Sequence, residues 1–157
     1  MSQLPFPADY VYKPLKLIAK DPEDLKVIST LLQDSIITNK TIKHDKGANQ
    51  LSFLANRFRW ELTSTPDPYD EYERVFALVV FDNVTNVCFE KINPKDSEVH
   101  HNLLGVIMQS SGNVVCHFSD DAKIILKCSN LHVRLKDVSD PWPSEHKPKH
   151  PEVDENA

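Results

Sequence analysis

Two arginines placed two residues apart are the side chains of this sequence best suited to chemistry. Arg57 and Arg59 lie in A-N-R-F-R-W-E, residues 55–61, at the end of a strand-like run. Alternate strand residues share a face, so the two guanidinium groups can together bind a phosphate or a carboxylate. The competing interpretation is a salt-bridged solvent face that pairs them with Glu61, Glu73 or an acidic loop. We take Arg57 and Arg59 as candidate binding residues and expect them to be exposed, so that replacing both should barely change stability.

The histidines and cysteines do not have the spacing that a metal or a catalytic nucleophile needs. Neighbouring strand residues point to opposite faces, which separates His100 from His101 and Cys116 from His117. The remaining candidates in the body of the chain are His132, Cys88 and Cys128. Paired ligands of the kind seen in zinc sites are missing, so we predict no metal, no cofactor and buried, inert thiols. The alternative is an enzyme whose site is assembled from distant residues, combining the two arginines with a body histidine.

The charge of the chain is concentrated at its C-terminal end. The net charge is −5, and residues 140–157 contribute Asp140, Glu145, Glu152, Asp154 and Glu155 against Lys147 and Lys149. The rest of the chain is therefore nearly neutral and shows no basic stripe of the kind that binds phosphate backbones. This excludes a nucleic-acid binder and leaves an unknown protein or a small anionic ligand as the expected partner.

The cysteine count and the ends of the sequence predict a cytoplasmic protein. Three cysteines are an odd number, and the first residues have neither a basic region nor an apolar stretch typical of a secretion signal. No run approaches the roughly 18 apolar residues that cross a bilayer. We therefore expect a reducing compartment and no membrane partner.

Hydrophobic periodicity predicts one helix early in the chain. Asp21 can cap it, Pro22 suits its first position, and acidic residues follow at the positive end of the helix dipole. The apolar stripe consists of Leu25, Ile28 and Leu32, widened by Val27 and Leu31. This spacing indicates an amphipathic helix lying on a sheet.

Short strands joined by tight turns fill most of the remaining sequence. The strand at 50–61 carries Phe58 and Trp60 on one face, and we expect these two rings in the core of the central sheet. The run 74–81 is apolar throughout and should be covered on both faces, and 86–92 should return beside it as a hairpin. Connections this short favour antiparallel pairing. The predicted fold class is α+β, predominantly antiparallel β, as a single-domain sandwich or partly open barrel of about nine short strands with one N-terminal amphipathic helix.

Proline marks the boundaries of the predicted domain. Seven of the 11 prolines lie near the two ends of the chain, where they disfavour regular structure. We assign 1–14 as an extended N-terminal arm, 15–139 as a single globular β-rich domain, and 140–157 as a proline-rich, acidic tail that we predict to be disordered. Trp142 is the tail residue expected to anchor on the domain.

The sequence resembles an uncharacterised alphaproteobacterial family catalogued only as a domain of unknown function. The matching pieces are residues 15–35, N-R-F-R-W-E at 56–61, E-R-V-F-A-L at 73–78, N-L-L-G-V-I at 102–107 and K-I-I-L-K-C with L-K-D-V near the C-terminal end. They occur in the same order over nearly the whole chain. The resemblance implies no activity, cofactor or catalytic residue, so residues 56–61 are motif positions without assigned roles.

Overall fold

The computed structural model describes residues 12–64 and 72–144. Its regular elements are β1 Lys16–Ala19, α1 Pro22–Leu32, β2 Ser35–Thr38, β3 Lys43–Asp45, β4 Gln50–Phe58, β5 Tyr72–Phe81, β6 Val84–Glu90, β7 His100–Met108, β8 Val114–Phe118, β9 Lys123–Cys128, β10 Val133–Asp137 and β11 Trp142–Ser144. Short 3-10 helices occupy Asn39–Thr41, Trp60–Ser64 and Ser119–Asp121. Most of the predicted N-terminal arm and C-terminal tail lies outside the described residues, although β11 uses three residues that we assigned to the tail.

All of the described strands belong to one antiparallel sheet. Nine of them follow the order β1-β10-β5-β4-β2-β7-β8-β9-β6, and β3 pairs with β4 while β11 pairs with β5. The sheet is open and does not close into a barrel, and α1 packs against β7 and β1. The predicted α+β, predominantly antiparallel class is confirmed. Within the described residues, no helix is long and apolar enough to cross a membrane.

The predicted hairpin between β5 and β6 is wrong. Only Asp82 and Asn83 separate the two strands, yet β5 pairs with β4 and β10, whereas β6 pairs with β9 at the far end of the sheet. The link turns a corner, because Asn83 adopts a left-handed φ of 58° and the amide of Val84 donates to the carbonyl of Asn49 at 2.8 Å. A short link fixes the distance between two strand ends but not their pairing. The sheet must therefore bend strongly enough to bring these distant strands together.

The helix α1 begins as predicted. The carboxylate of Asp21 accepts a hydrogen bond from the amide of Asp24 at 2.8 Å, and Pro22 is the first helical residue. Leu25, Ile28 and Leu32 are the buried side chains of the helix. The proposed widening of the stripe is wrong for Val27, which is 54% exposed because it lies about 200° around the helix from Leu25.

The strand β4 buries the face opposite to the one we expected. Its inward side chains are Leu51, Phe53, Ala55 and Arg57. Phe58 is also buried, but the strand ends there, and Trp60 lies in the following 3-10 helix with its ring 4.7 Å from that of Phe58. Trp60 is half-buried and its indole N–H donates to the carbonyl of Gln33 at 2.7 Å. It therefore fastens the end of β4 to the end of α1 instead of filling the core of the sheet.

The prediction that β5 is covered on both faces is also wrong. Its inward residues are buried, but Phe76 and Leu78 on the outer face are 37% and 38% exposed. In the described structure the helix covers only the inner side of the sheet, through contacts with β7, β1 and β4. The apolar run of β5 thus leaves hydrophobic side chains at the surface.

A side-chain hydrogen bond holds α1 on β7. The β7 ladder is irregular between Leu103 and Gly105, and the amide of Val106 donates to Ser29 Oγ on the helix at 2.8 Å. A buried amide that loses its acceptor costs about 1–3 kcal/mol. We therefore expect Ser29→Ala to lower the free energy of unfolding by about that amount, as measured by urea denaturation.

Thr30 supplies a matched control for this prediction. It follows Ser29 in the helix, is exposed, and its hydroxyl donates only to the helix carbonyl of Lys26 among the described contacts. Thr30→Ala should leave stability within about 0.5 kcal/mol of wild type. Equal effects of the two substitutions would show that the contact to Val106 contributes nothing to docking of the helix.

Candidate functional site

The two candidate arginines are buried, which corrects the expectation that they are exposed. Arg57 is 0% exposed and Arg59 is 4% exposed. Arg57 projects inward from β4, and its guanidinium reaches Asp137 on β10, on the far side of β5. Ala77 of β5 stands opposite Asp137, and its short side chain leaves room for this crossing. Because Arg57 is charged, its sequence position suggested a side chain that faces solvent. A buried acidic partner allows the side chain to face the core instead.

Every N–H of the Arg57 guanidinium has an acceptor. Nε and Nη2 donate to the two carboxylate oxygens of Asp137, each at 2.9 Å. Nη1 and Nη2 donate to the two oxygens of Glu61, also at 2.9 Å, and Nη1 approaches the carbonyl of Phe58 at 3.5 Å. Two bidentate contacts of this kind fix the guanidinium plane and are stronger than neutral hydrogen bonds.

Asp137 also connects this site to the segment before β1. Its Oδ2 accepts the hydroxyl of Tyr12 at 2.6 Å and the amide of Leu15 at 3.0 Å. The carboxylate is completely buried. One acidic side chain thus joins β4, β10 and the chain that leads into β1.

Arg59 lies beside this network and uses different partners. It forms an ion pair with Glu73 on β5, its Nε lies 3.7 Å from Glu61 Oε2, and its guanidinium stands 4.8 Å from the centre of the Tyr12 ring. The competing sequence interpretation named Glu61 and Glu73 as partners, and both are. Its solvent-facing setting is wrong for the two arginines, because both guanidinium groups are buried.

The electrostatics of the network favour its charged form. Burial alone would raise the pKa of Asp137 and of Glu61, but hydrogen bonds and the charge of Arg57 outweigh it and hold both pKa values below their ordinary range. Burial and the hydrogen bond to Asp137 raise the pKa of Tyr12, so its hydroxyl stays protonated as a donor. The carboxylates therefore stay ionised at neutral pH.

This geometry supports a structural role for the pair more directly than a binding role. An anion could reach Arg57 only by displacing Asp137 or Glu61, since no donor of Arg57 is free. Binding of a ligand by Arg57 and Arg59 stays a prediction. Within the described residues, no histidine hydrogen-bonds to Arg57, so the structure does not bring a body histidine to it as the enzyme alternative required.

The other sequence candidates are scattered over the sheet. His132 Nδ1 donates to Asp82 Oδ2 at 2.7 Å, and His100 Nδ1 lies 2.9 Å from the hydroxyl of Thr38. Cys116 is buried, and burial raises the pKa of its thiol, but Cys88 on the edge strand β6 is exposed, which corrects its predicted burial. Residues 12–64 and 72–144 contain no cluster of three or more His, Cys, Asp or Glu side chains suited to a metal.

Sequence reasoning missed Asp137 although a signal for it was present. The run at 131–138 alternates, with Leu131, Val133 and Leu135 directed inward, and Asp137 continues that register. An acidic residue at an inward position requires a buried donor. The signal indicates that such a donor exists but not that it is Arg57, 80 residues away in sequence.

We expect Asp137→Asn to lower the free energy of unfolding by about 3–5 kcal/mol, because it removes the charge that balances the buried Arg57. The measurement is urea denaturation at pH 7. Asp121→Asn is the matched control, since the Asp121 side chain is 90% exposed and lies 4.0 Å from Lys91. A change below about 1 kcal/mol for Asp137→Asn would contradict the assignment of this pair as a buried structural contact.

The lowered pKa values also predict how stability depends on pH. The unfolded chain binds protons at the ordinary values of 3.8 for Asp137 and 4.5 for Glu61, while the folded chain binds them at lower pH. Their contribution is therefore complete above those ordinary values and is lost as pH falls through the folded values. We expect the urea concentration at the unfolding midpoint to decrease as the pH is lowered below about 4. This decrease should be less steep for Glu61→Gln. Equal slopes in both proteins would exclude Glu61 from this linkage.

Comparison with known proteins identifies a family but no activity. Residues 15–150 match the model of a family described as "Protein of unknown function (DUF2948)". Neither a curated protein nor a solved structure matches the chain. The family match spans most of the 157 residues and includes Arg57, Arg59 and Asp137. The chain therefore belongs to the DUF2948 family of proteins of unknown function.

Proposed function

We propose that this protein is a non-catalytic interaction module that binds an acidic, partly apolar protein segment on the outer face of β1, β10, β5 and β4. The observation that carries the proposal is a group of exposed hydrophobic side chains on this face. Ile18, Phe76, Leu78 and Val138 are 48%, 37%, 38% and 49% exposed. Exposed apolar side chains that adjoin one another commonly mark protein-binding sites.

The strand register places these side chains next to one another. Leu78 of β5 stands opposite Leu54 of β4, and Phe76, two residues earlier, shares its face. The amide of Val138 donates to the carbonyl of Phe76 at 2.8 Å, and the ring of Trp142 lies 4.9 Å from that of Phe76. Phe76, Leu78, Val138, Trp142 and Leu54 form one apolar surface, which we call the outer patch. Ile18 lies beyond it on β1, opposite Arg134.

Lysines border the outer patch and define the chemistry of its partner. Lys16 stands opposite Lys136 on the β1 side, and Lys43 stands opposite Ser52 on the β3 side. All three lysines are exposed and have no ion pair within the described part of the chain. Arg134 on the same face differs, because Asp82 already pairs with it. A partner that brings carboxylates around an apolar centre would complement both features of this surface.

The form of the surface favours recognition over catalysis. Catalytic sites are usually concave and gather several polar groups, whereas the outer patch is the side of a sheet with apolar groups at its centre. The cytoplasm is the location that we propose, in keeping with three free cysteines. We also propose an alphaproteobacterial source for the protein, on the basis of the sequence resemblance.

A designed peptide provides the test. The probe is an acetylated peptide of alternating Glu and Leu, titrated into the full chain while tryptophan fluorescence and amide chemical shifts are recorded. We expect saturable binding that weakens with added salt and shifts confined to the outer face. Peptides of alternating Lys and Leu, or of Glu and Ser, test the charge and the apolar requirement separately and should not bind.

Two matched variants locate the binding surface. Leu78→Glu removes the apolar centre and adds a repelling charge, so it should weaken binding by about tenfold or more. Ile107→Glu is the control, because Ile107 is 54% exposed on β7, outside the outer patch, and this variant should bind like wild type. Absence of binding by the wild-type chain, or equal binding by Leu78→Glu, would contradict the proposal.

A further inference from the structure

A polar cleft at the end of the core is lined by two residues that each have a buried side-chain atom without a hydrogen-bond partner. The cleft has a volume of about 300 Å³ and lies where the 3-10 helix after β2, the start of β7 and the β6–β7 connection meet. Asn39 and His101 both line it. Within the described residues, Asn39 Oδ1 and His101 Nε2 are buried and have no partner.

The amide of Asn39 is fixed by its other contacts. Asn39 is 1% exposed, and its Nδ2 donates to the carbonyl of Asn93 at 3.1 Å. Its backbone amide donates to the carbonyl of Val99 at 2.9 Å. Because a carbonyl can only accept, Nδ2 must face Asn93, and Oδ1 is the atom that stays unpaired.

The ring of His101 enters the same region from β7. His101 stands opposite Ile37 on β2, and its ring lies 5.8 Å from that of Phe118 in an edge-on arrangement. Burial lowers the pKa of His101, and the neighbouring His100 lowers it further against the opposite effect of Asp120. The ring is therefore neutral at pH 7, with one nitrogen that donates and one that accepts.

Two unpaired polar atoms on one cleft point to a ligand. Buried polar groups without partners are rare in native proteins, because each one gives up its hydrogen bonds to water. Places where a fold breaks this rule are expected at functional sites. Here both residues line the same cleft, and the side chain of Asn39 is held in place by the contacts that leave its oxygen unpaired.

We propose that this cleft binds a small uncharged molecule through a group that both donates and accepts hydrogen bonds, such as a carboxamide or a hydroxyl. The ligand donates to Asn39 Oδ1 and pairs with His101 Nε2. Lys91 and Asp96 also line the cleft and carry opposite charges, so their combined field favours neither anions nor cations. This function is separate from peptide binding on the outer patch.

The test uses acetamide as the probe. It is titrated into the ¹⁵N-labelled full chain while the imidazole nitrogens are observed by long-range ¹H–¹⁵N spectra. We expect a saturable shift of the His101 nitrogens. Sodium acetate and methylammonium chloride are charged molecules of similar size and should produce no saturable shift.

Two histidine variants separate the cleft from other sites. His101→Phe keeps a ring against Phe118 but removes Nε2, so the acetamide-induced amide shifts around the cleft should be lost. His117→Phe on β8 is the control and should keep them, because His117 does not line the cleft. Without ligand, His101→Phe should also raise the thermal unfolding midpoint, since it removes a buried nitrogen that has no partner.

The wild-type titration alone can overturn the proposal, even if a variant fails to fold. No saturable acetamide shift, or a shift of equal size with acetate, would exclude a site for uncharged ligands. Retention of the shifts in His101→Phe would place acetamide elsewhere. A lower unfolding midpoint for His101→Phe would show that Nε2 is already satisfied, and would remove the argument for the site.

Discussion

The buried contact between Arg57 and Asp137 is the interaction on which the arrangement of the sheet depends. Both side chains are completely buried, and an uncompensated charge in such a place would cost several kcal/mol. The pair is satisfied only when β4, β5 and β10 lie side by side in one register. A slip of one residue in β4 would turn Arg57 to the outer face and leave Asp137 buried without its partner. The contact therefore penalises alternative strand pairings that an all-apolar core would tolerate.

The same contact explains why the arginines are poor candidates for ligand binding. All five N–H groups of the Arg57 guanidinium donate to Asp137, Glu61 and Phe58. The carboxylate of Asp137 also accepts hydrogen bonds from Tyr12 and Leu15. The charges that looked most reactive in the sequence are the most fully neutralised in the fold. The polar groups that lack an ion pair or a hydrogen bond lie elsewhere, on the lysines around the outer patch and on the residues that line the cleft. Recognition in this protein is therefore best sought where side chains have unmet contacts.

Local sequence signals predicted the start of α1 correctly, but they assigned the wrong inward face to β4. Asp21 and Pro22 mark the start of α1, and residues 131–138 alternate between inward and outward positions through β10. These features depend on neighbours within a few residues. The burial of Arg57 depends on Asp137, 80 residues later, and nothing in the motif around Arg57 reports that distance. The fold class could be predicted from the sequence. The burial of the candidate site could not, because it depends on which strands become neighbours.

The pairing of β6 with β9, which makes the hairpin prediction wrong, also accounts for the cleft. Since β6 pairs with β9 at the far edge, three strand spacings separate it from β7, a distance of about 14 Å. Residues 91–99 must cover this distance and so run across the end of the core past β9 and β8. Their carbonyls then meet Asn39, which donates to Asn93 and Val99 and anchors the crossing. A β5–β6 hairpin would have placed β6 beside β5 and sent the connection to β7 across β4 and β2 instead. The cleft between Asn39 and His101 thus follows from strand order, which is the part of the fold that local patterns did not determine.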